Sequence, residues 1–274
     1  MKIISLSPSF TEILENIGRA ESLSAVSNHC PEIRNEIPRI GSPKALDFAA
    51  IANQGPDLIL SDPNENRPEE IRELEKKFRV VSFEVRSVQA VMEAVNTIGR
   101  LAEGMPGAMK LIDEIQAAKE AAQNAAKEIQ PRVRTLMVLW NSPYIALNFD
   151  TYVSRLVETC GGHNVFHEDP IREFPVDLED LIEKNPGLLL LPTDPFPFKK
   201  RHVAKFREYR IFSKIRIELV DGKLFSRYGP STVEALKFLS ERIVDTSRKG
   251  IPAALAPEAP VSPGFLECAA ARRR

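Results

Sequence analysis

One histidine and one cysteine stand side by side at His29 and Cys30, in the stretch VSNHCPEI. The whole chain has only four histidines and three cysteines. A neutral imidazole is a good ligand for cobalt or iron, and a thiolate is an alternative. Read alone, the pair fits an ordinary loop equally well, with Cys30 as a small hydrophobe tucked beneath it. The other histidines offer less. His163 and His167 are four apart, but Gly161 and Gly162 end the preceding helix. The two are therefore not expected to share a helical face, and they read as capping or solvated groups. His202 falls in the basic run KKRH, expected to be a solvated face. A zinc site would need about three histidines converging with a carboxylate, a pattern that this spacing does not supply. Cys30, Cys160 and Cys268 are scattered and form no Cys-x-x-Cys pair, which argues against a disulfide framework and against structural zinc.

Enzyme chemistry finds little support. No Ser-His-Asp arrangement, pair of catalytic carboxylates or cofactor motif stands out, and neither Gly-x-Gly-x-x-Gly nor Gly-Lys-Ser/Thr occurs. The formal net charge is −1, with no basic stripe, so a nucleic acid partner is not expected. No apolar run approaches the ~18 residues that span a bilayer. The opening MKIISLSPSF carries one lysine, a short apolar stretch and no small-residue cleavage site, so it is not read as a signal peptide. As it stands the chain is expected in the cytoplasm, or in the periplasm or another extracytoplasmic space if a signal peptide has been removed. With 274 residues, 43% of them hydrophobic, it can bury a real core and divide into two lobes.

The elements that must position such residues alternate. Residues 2–6 read as a strand, and Ser9 with Glu12 as a capping box opening a helix that Gly18 stops. Strands follow at 23–26, 58–60 and 80–83, with an amphipathic helix at 68–78. Such alternation implies a mainly parallel sheet. From residue 88 to 130 the pattern is almost wholly helical. Its second piece, 105–130, is rich in Ala, Glu, Lys and Gln, with an apolar stripe through Met109, Ile112 and Ile115 that thins to alanine. It reads as a surface helix or a rigid rod between two lobes. An α/β pattern then resumes: a strand at 135–140, a helix capped by Asp150 or Thr151, a leucine-rich strand at 188–191, and a helix at 232–243. Asp221-Gly222, between apolar segments 217–220 and 223–225, reads as a two-residue hairpin turn. The domains expected are an α/β lobe at 1–104, a connecting helix at 105–130, a second α/β lobe at 131–248 and a disordered Pro/Ala-rich tail at 249–274.

In open α/β sheets, ligands sit beyond the carboxyl ends of the strands. The loops leaving those ends here are SPSF, SNHC, SDPNEN, WNSPY and PTDPFPF. They concentrate aromatic and amide side chains: Phe10, Asn28 and Asn64 in the first half, and Trp140, Asn141, Tyr144, Phe196 and Phe198 in the second. Facing one another across a gap, they would line a large aromatic cleft suited to a bulky planar ligand.

The frame formed by MKIISLSPSFTEILENIG, VSNHCPEIRNEIPRIGSP, PDLIL, the long helix, SPYIALNFDTYVSRLVETCGGHNVF and LLLLPTDPFPF resembles the helical-backbone metal-chelate receptors, a class of ABC-importer substrate-binding proteins. The resemblance covers about residues 1–245, and the cobalamin binders are the most similar. It implies two Rossmann-like α/β lobes joined by one long helix, with little hinge motion and a ligand cleft between them. It also implies a binding protein rather than an enzyme, expected to be monomeric, with cobalamin or another corrinoid as cargo and no catalytic cofactor. Haem or a siderophore is the alternative cargo, and a cofactor-handling enzyme on the same architecture is the alternative activity. The resemblance puts the loop of Asn28 and His29 in the cleft, where His29 could be an axial metal ligand or a contact on the ligand's rim. In such importers an acidic residue on each lobe meets permease arginines. Glu69 and Glu70 supply this on the first lobe, while the second offers Lys199-Lys200-Arg201-His202. That departure makes an intracellular carrier the competing reading.

Overall fold

The computed structural model describes residues 1–32 and 37–249. The tail expected to be disordered, with Cys268 in it, lies outside these residues apart from Lys249.

The first half runs β1 (Ile3–Ser5), α1 (Pro8–Asn16), β2 (Leu23–Val26), β3 (Gly41–Ser42), β4 (Ala45–Leu46), α2 (Phe48–Gln54), β5 (Leu58–Ser61), α3 (Pro68–Glu75), β6 (Val80–Ser82) and α4 (Val88–Leu101). The long helix α5 (Met105–Ala126) follows. The second half runs β7 (Val133–Met137), β8 (Tyr144–Leu147), α6 (Tyr152–Thr159), β9 (Gly162–Asn164), β10 (Glu173–Val176), α7 (Leu178–Glu183), β11 (Leu188–Pro192), α8 (Lys200–Arg207), α9 (Arg210–Lys214), β12 (Arg216–Val220), α10 (Lys223–Ser226) and α11 (Pro230–Arg248). Each half is built on a four-stranded parallel sheet, in the order β2-β1-β5-β6 and β12-β11-β7-β9. Every residue of β5 and β11 is buried, as interior strands of parallel sheets covered on both faces must be, which explains their unbroken apolar runs.

Local chemistry departs from the sequence reading at three points. The N-cap of α1 is Ser7, with Pro8 in the first turn, so Ser9 does not open a capping box. Ser9 Oγ instead accepts a hydrogen bond from the Tyr228 backbone N–H at 3.2 Å, across to the second lobe. Asp221-Gly222 is not a hairpin turn. β12 lies parallel to β11, and residues 223–226 form a helical turn rather than a returning strand. Gly222 is there because its backbone presses on Asp194, where a Cβ would come within 2.2 Å of a carbonyl oxygen. Along α5 the buried stripe runs through Ala108, Leu111, Ile115, Ala118 and Ala122, while Met109 is exposed. The alanines let α5 pack closely between α4 and α11, as at Gly99, whose missing Cβ makes room for Ala108. One continuous apolar core therefore runs from Ile3 and Phe10 through Ile98 and Ile115 to Leu156 and Ile243, fusing both lobes to the long helix.

Candidate functional site: an inter-lobe cleft

The carboxyl ends of the two sheets face each other, and residues from their loops meet at two places. Beyond β6, Arg86 Nη1 lies 2.6 Å from Asp150 Oδ2 of the second lobe. Arg172, just before β10, reaches back to Glu84 at 3.6 Å and donates to Asn64 Oδ1 at 3.2 Å. On the other side Arg227 pairs with Glu12, Tyr228 bonds Ser9, and Gly229 packs on Ile13 so closely that a Cβ would approach it to 2.5 Å. With the shared core, these contacts hold the lobes at a set separation.

The turn after β5 carries two carboxyls into this region. Glu65 N–H donates to Asp62 O at 3.0 Å, and Asn64 N–H to Asp62 Oδ1 at 2.8 Å. Asp62 Oδ2 is buried with no hydrogen-bond partner. Glu65 Oε1 accepts from Ser7 Oγ at 3.0 Å. Burial pushes the Asp62 carboxyl up to about 7, with Glu84 adding to the rise. Glu65 is pushed up to about 8, first by burial and then by the neighbouring charge of Asp62; Asp194 of the second lobe pushes the same way and Arg227 opposes it. These carboxyls stand in the SDPNEN loop but carry no motif, so only the fold marks them, Asp62 by full burial and Glu65 by partial burial.

The residues expected from sequence divide into two groups. Asn28 and His29 are exposed on the loop after β2, and Cys30 beneath them is 6% exposed, held by Thr11 and Ser27 hydroxyls at 3.2 Å. Burial pushes the Cys30 thiol up, so it sits under the loop as a small apolar group rather than as a thiolate. Trp140 is 42% exposed and meets Phe196 edge-on, ring centroids 5.4 Å apart. Asn64 faces the other lobe through Arg172. Asn141 is half-buried in the turn after Trp140.

Three aromatics do not line the gap. Phe10 is fully buried against Phe83 and Tyr228, because it lies on the inner face of α1 rather than in the loop before it. Phe198 is buried under Phe196, and Tyr144 turns onto Phe206 in the second-lobe core. Of the remaining histidines, His163 on β9 and His167 in the turn after it share no helical face, as expected. His163 and His167 bring their rings within 5.6 Å, and His167 Nδ1 lies 2.5 Å from Glu158. His202 packs at a tilt against Phe196 and edge-on against Phe198, and its Nδ1 accepts from Lys199 N–H at 2.9 Å. Glu69 is exposed at the start of α3, whereas Glu70 bends in to accept from Leu46 N–H. Among the described residues no group of three or more His, Cys, Asp or Glu could hold a metal ion.

Two parallel-sheet lobes on one long helix, with a gap between their loop-bearing ends, define a two-lobed binding protein. The family model for periplasmic binding proteins matches residues 3–216, and the chain belongs to that family. Its relatives include the vitamin B12-binding proteins of two Vibrio vulnificus strains, CMCP6 and YJ016. They are 22% and 26% identical over 90% of this chain and 92% of their own length. The crystal structure of the periplasmic vitamin B12 binding protein BtuF of Vibrio cholerae superposes with a TM-score of 0.79 at 21% identity, covering 90% of this chain and 98% of that one. The periplasmic haem-binding protein RhuT of Roseiflexus sp. RS-1 gives 0.76 at 20% identity over the same shares.

Proposed function

We propose that this chain binds a corrinoid, cobalamin or a close analogue, in the inter-lobe cleft and releases it unchanged. The observation that carries this reading is the pairing of an exposed Trp140 with Phe196 in the loops that leave the carboxyl ends of β7 and β11, toward the gap between the lobes. Such a gap suits a rigid, flat macrocycle, and a half-exposed indole offers it a stacking face. The vitamin B12-binding relatives, aligned along nine-tenths of the chain, support the same ligand class. The haem-binding structures of equal coverage make haem the second reading.

In this proposal residues 1–104 and 131–248 are the two lobes and 105–130 the rod between them. Asn28, His29 and Asn64 contribute from the first lobe, and Trp140, Asn141 and Phe196 from the second. The cobalt arrives with the ligand, and His29 touches its rim or its metal. Delivery to an ABC permease would use Glu69 and Glu70 on the first lobe; the second lobe offers the cations of Lys199 to Arg201 where an acidic residue would meet a permease arginine.

Trp140 is the chain's single tryptophan, so its fluorescence is the natural probe. Titration with cyanocobalamin should quench it at micromolar or lower ligand and shift the corrin absorption. Quenching by haemin alone would favour the second reading, and flat titrations with cobalamin, cobinamide and haemin would end both.

A further inference from the structure

Seven cations and one acid fall between residues 199 and 214, a local net charge of +6 in a chain whose total is −1. The stretch forms α8 and α9, which bury Phe206 and Phe212 in the second-lobe core and pack Val203 and Ile211 against it. That packing leaves Lys199, Lys200, Arg201, Lys205 and Lys214 exposed on the outer side. None of these five makes an ion pair among the described residues. The arginines that cross between the lobes differ: Arg86, Arg172 and Arg227 are each held by carboxylates. The arrangement also works against α8 itself. Its first turn has no acidic residue, three cations at its start oppose the helix dipole, and Arg201 and Lys205 repel at four-residue spacing. An anionic surface outside the chain would offset all of these charges at once.

We propose that the α8–α9 face docks the chain on an anionic lipid surface. Four of the five exposed cations are lysines, point charges on flexible stems that suit a diffuse layer of phosphate headgroups. Pairing with fixed carboxylates on a protein would favour the planar fork of arginine instead. Apolar side chains border the face, as interfacial docking requires. Phe196 is half-buried against His202 of α8, and Leu219 is 38% exposed on β12, the edge strand that α8 packs against. A nucleic acid is a poor match, because the rings of Phe206 and Phe212 are buried in the core and cannot stack on bases. The inference goes beyond the corrinoid reading and does not depend on the cargo.

The test is co-sedimentation of the full chain with vesicles of phosphatidylcholine alone and of an equal mixture with phosphatidylglycerol. The wild type should bind the mixed vesicles only, and ~0.5 M salt should release it. The triple variant Lys199→Gln, Lys200→Gln, Arg201→Gln should bind ~100-fold more weakly. A control triple, Lys77→Gln, Lys110→Gln, Lys127→Gln, changes the net charge equally at exposed positions elsewhere and should bind as the wild type does. Equal binding to both kinds of vesicle, or an equal loss in both triples, would overturn the proposal. Binding of hexaglutamate without binding of the vesicles would assign the face to an acidic protein and overturn it as well. Near-ultraviolet circular dichroism checks folding. Lys205→Gln with Lys214→Gln, away from the helix start, decides the matter should the first triple misfold, with a loss of ~10-fold or more expected. Cyanocobalamin titration of the same proteins reads the cargo site separately, so either result can fail without the other.

Discussion

Replacing Trp140 by alanine separates a ligand wall from a packing residue. The side chain is 42% exposed, and its contact with Phe196 is edge-on rather than enclosed. A tryptophan has roughly 250 Å² to bury, so about 100 Å² of indole remains for a ligand to cover. At ~25 cal/mol per Å², full coverage would be worth about 2.5 kcal/mol, and partial coverage about 1–2 kcal/mol. The expected loss is thus ~5- to 30-fold in Kd for cobalamin. The edge-on aromatic contact with Phe196 is worth about 0.5–1.5 kcal/mol, so stability should fall only slightly. Calorimetry measures the first quantity and urea denaturation the second. An unchanged Kd accompanied by a loss of 3 kcal/mol or more of stability, on the order of a core aromatic truncation, would show that the ring supports the fold instead.

The half-buried carboxyl of Glu65 makes a pH prediction. Its folded value near 8 lies above the ordinary range, so the folded chain holds this proton more tightly than the unfolded chain does. Stability should therefore fall as pH rises from about 4 towards about 8 and level off above that. Glu65→Gln should melt like the wild type in acid but higher than it at about pH 9; parallel melting curves across this range would refute the assignment. His29→Ala should weaken corrinoid binding about 5-fold, the loss of one rim hydrogen bond, with the visible spectrum of the bound metal unchanged. A changed spectrum would mean coordination instead. Ile115 is fully buried where α4, α5 and α11 meet, and Ile115→Ala should cost about 3 kcal/mol in urea denaturation, through a single transition, because the lobes share that core. A loss under about 1 kcal/mol, or two separated transitions, would refute the shared core.

Much of the architecture was legible along the chain because periodicity and turn chemistry are local. The leucine run of β11, the serine and threonine caps of α4 and α6, and the proline that opens α5 each act within a few residues of themselves. The short segments were not. β8 and β10 pair across about thirty residues, and β9 has only three residues, too few for a period to show. The buried side of α5 was misjudged because alanine carries no strong hydrophobic signal, yet the close approach of α4 and α11 favours it there.

The site divides the same way. Sequence determined which loops follow the strands, and so placed Asn64, Trp140 and Phe196 at the cleft end of the sheets. Only the tertiary structure decided which side chains remain available. Phe10, Phe198 and Tyr144 lie within or beside the same loops, but their rings gain more by burial than by facing water. Arg172 with Asn64, Glu12 with Arg227 and Ser9 with Tyr228 join residues 108, 215 and 219 positions apart. No local pattern encodes such partners. They exist because the shared core brings the two lobes within contact distance of each other.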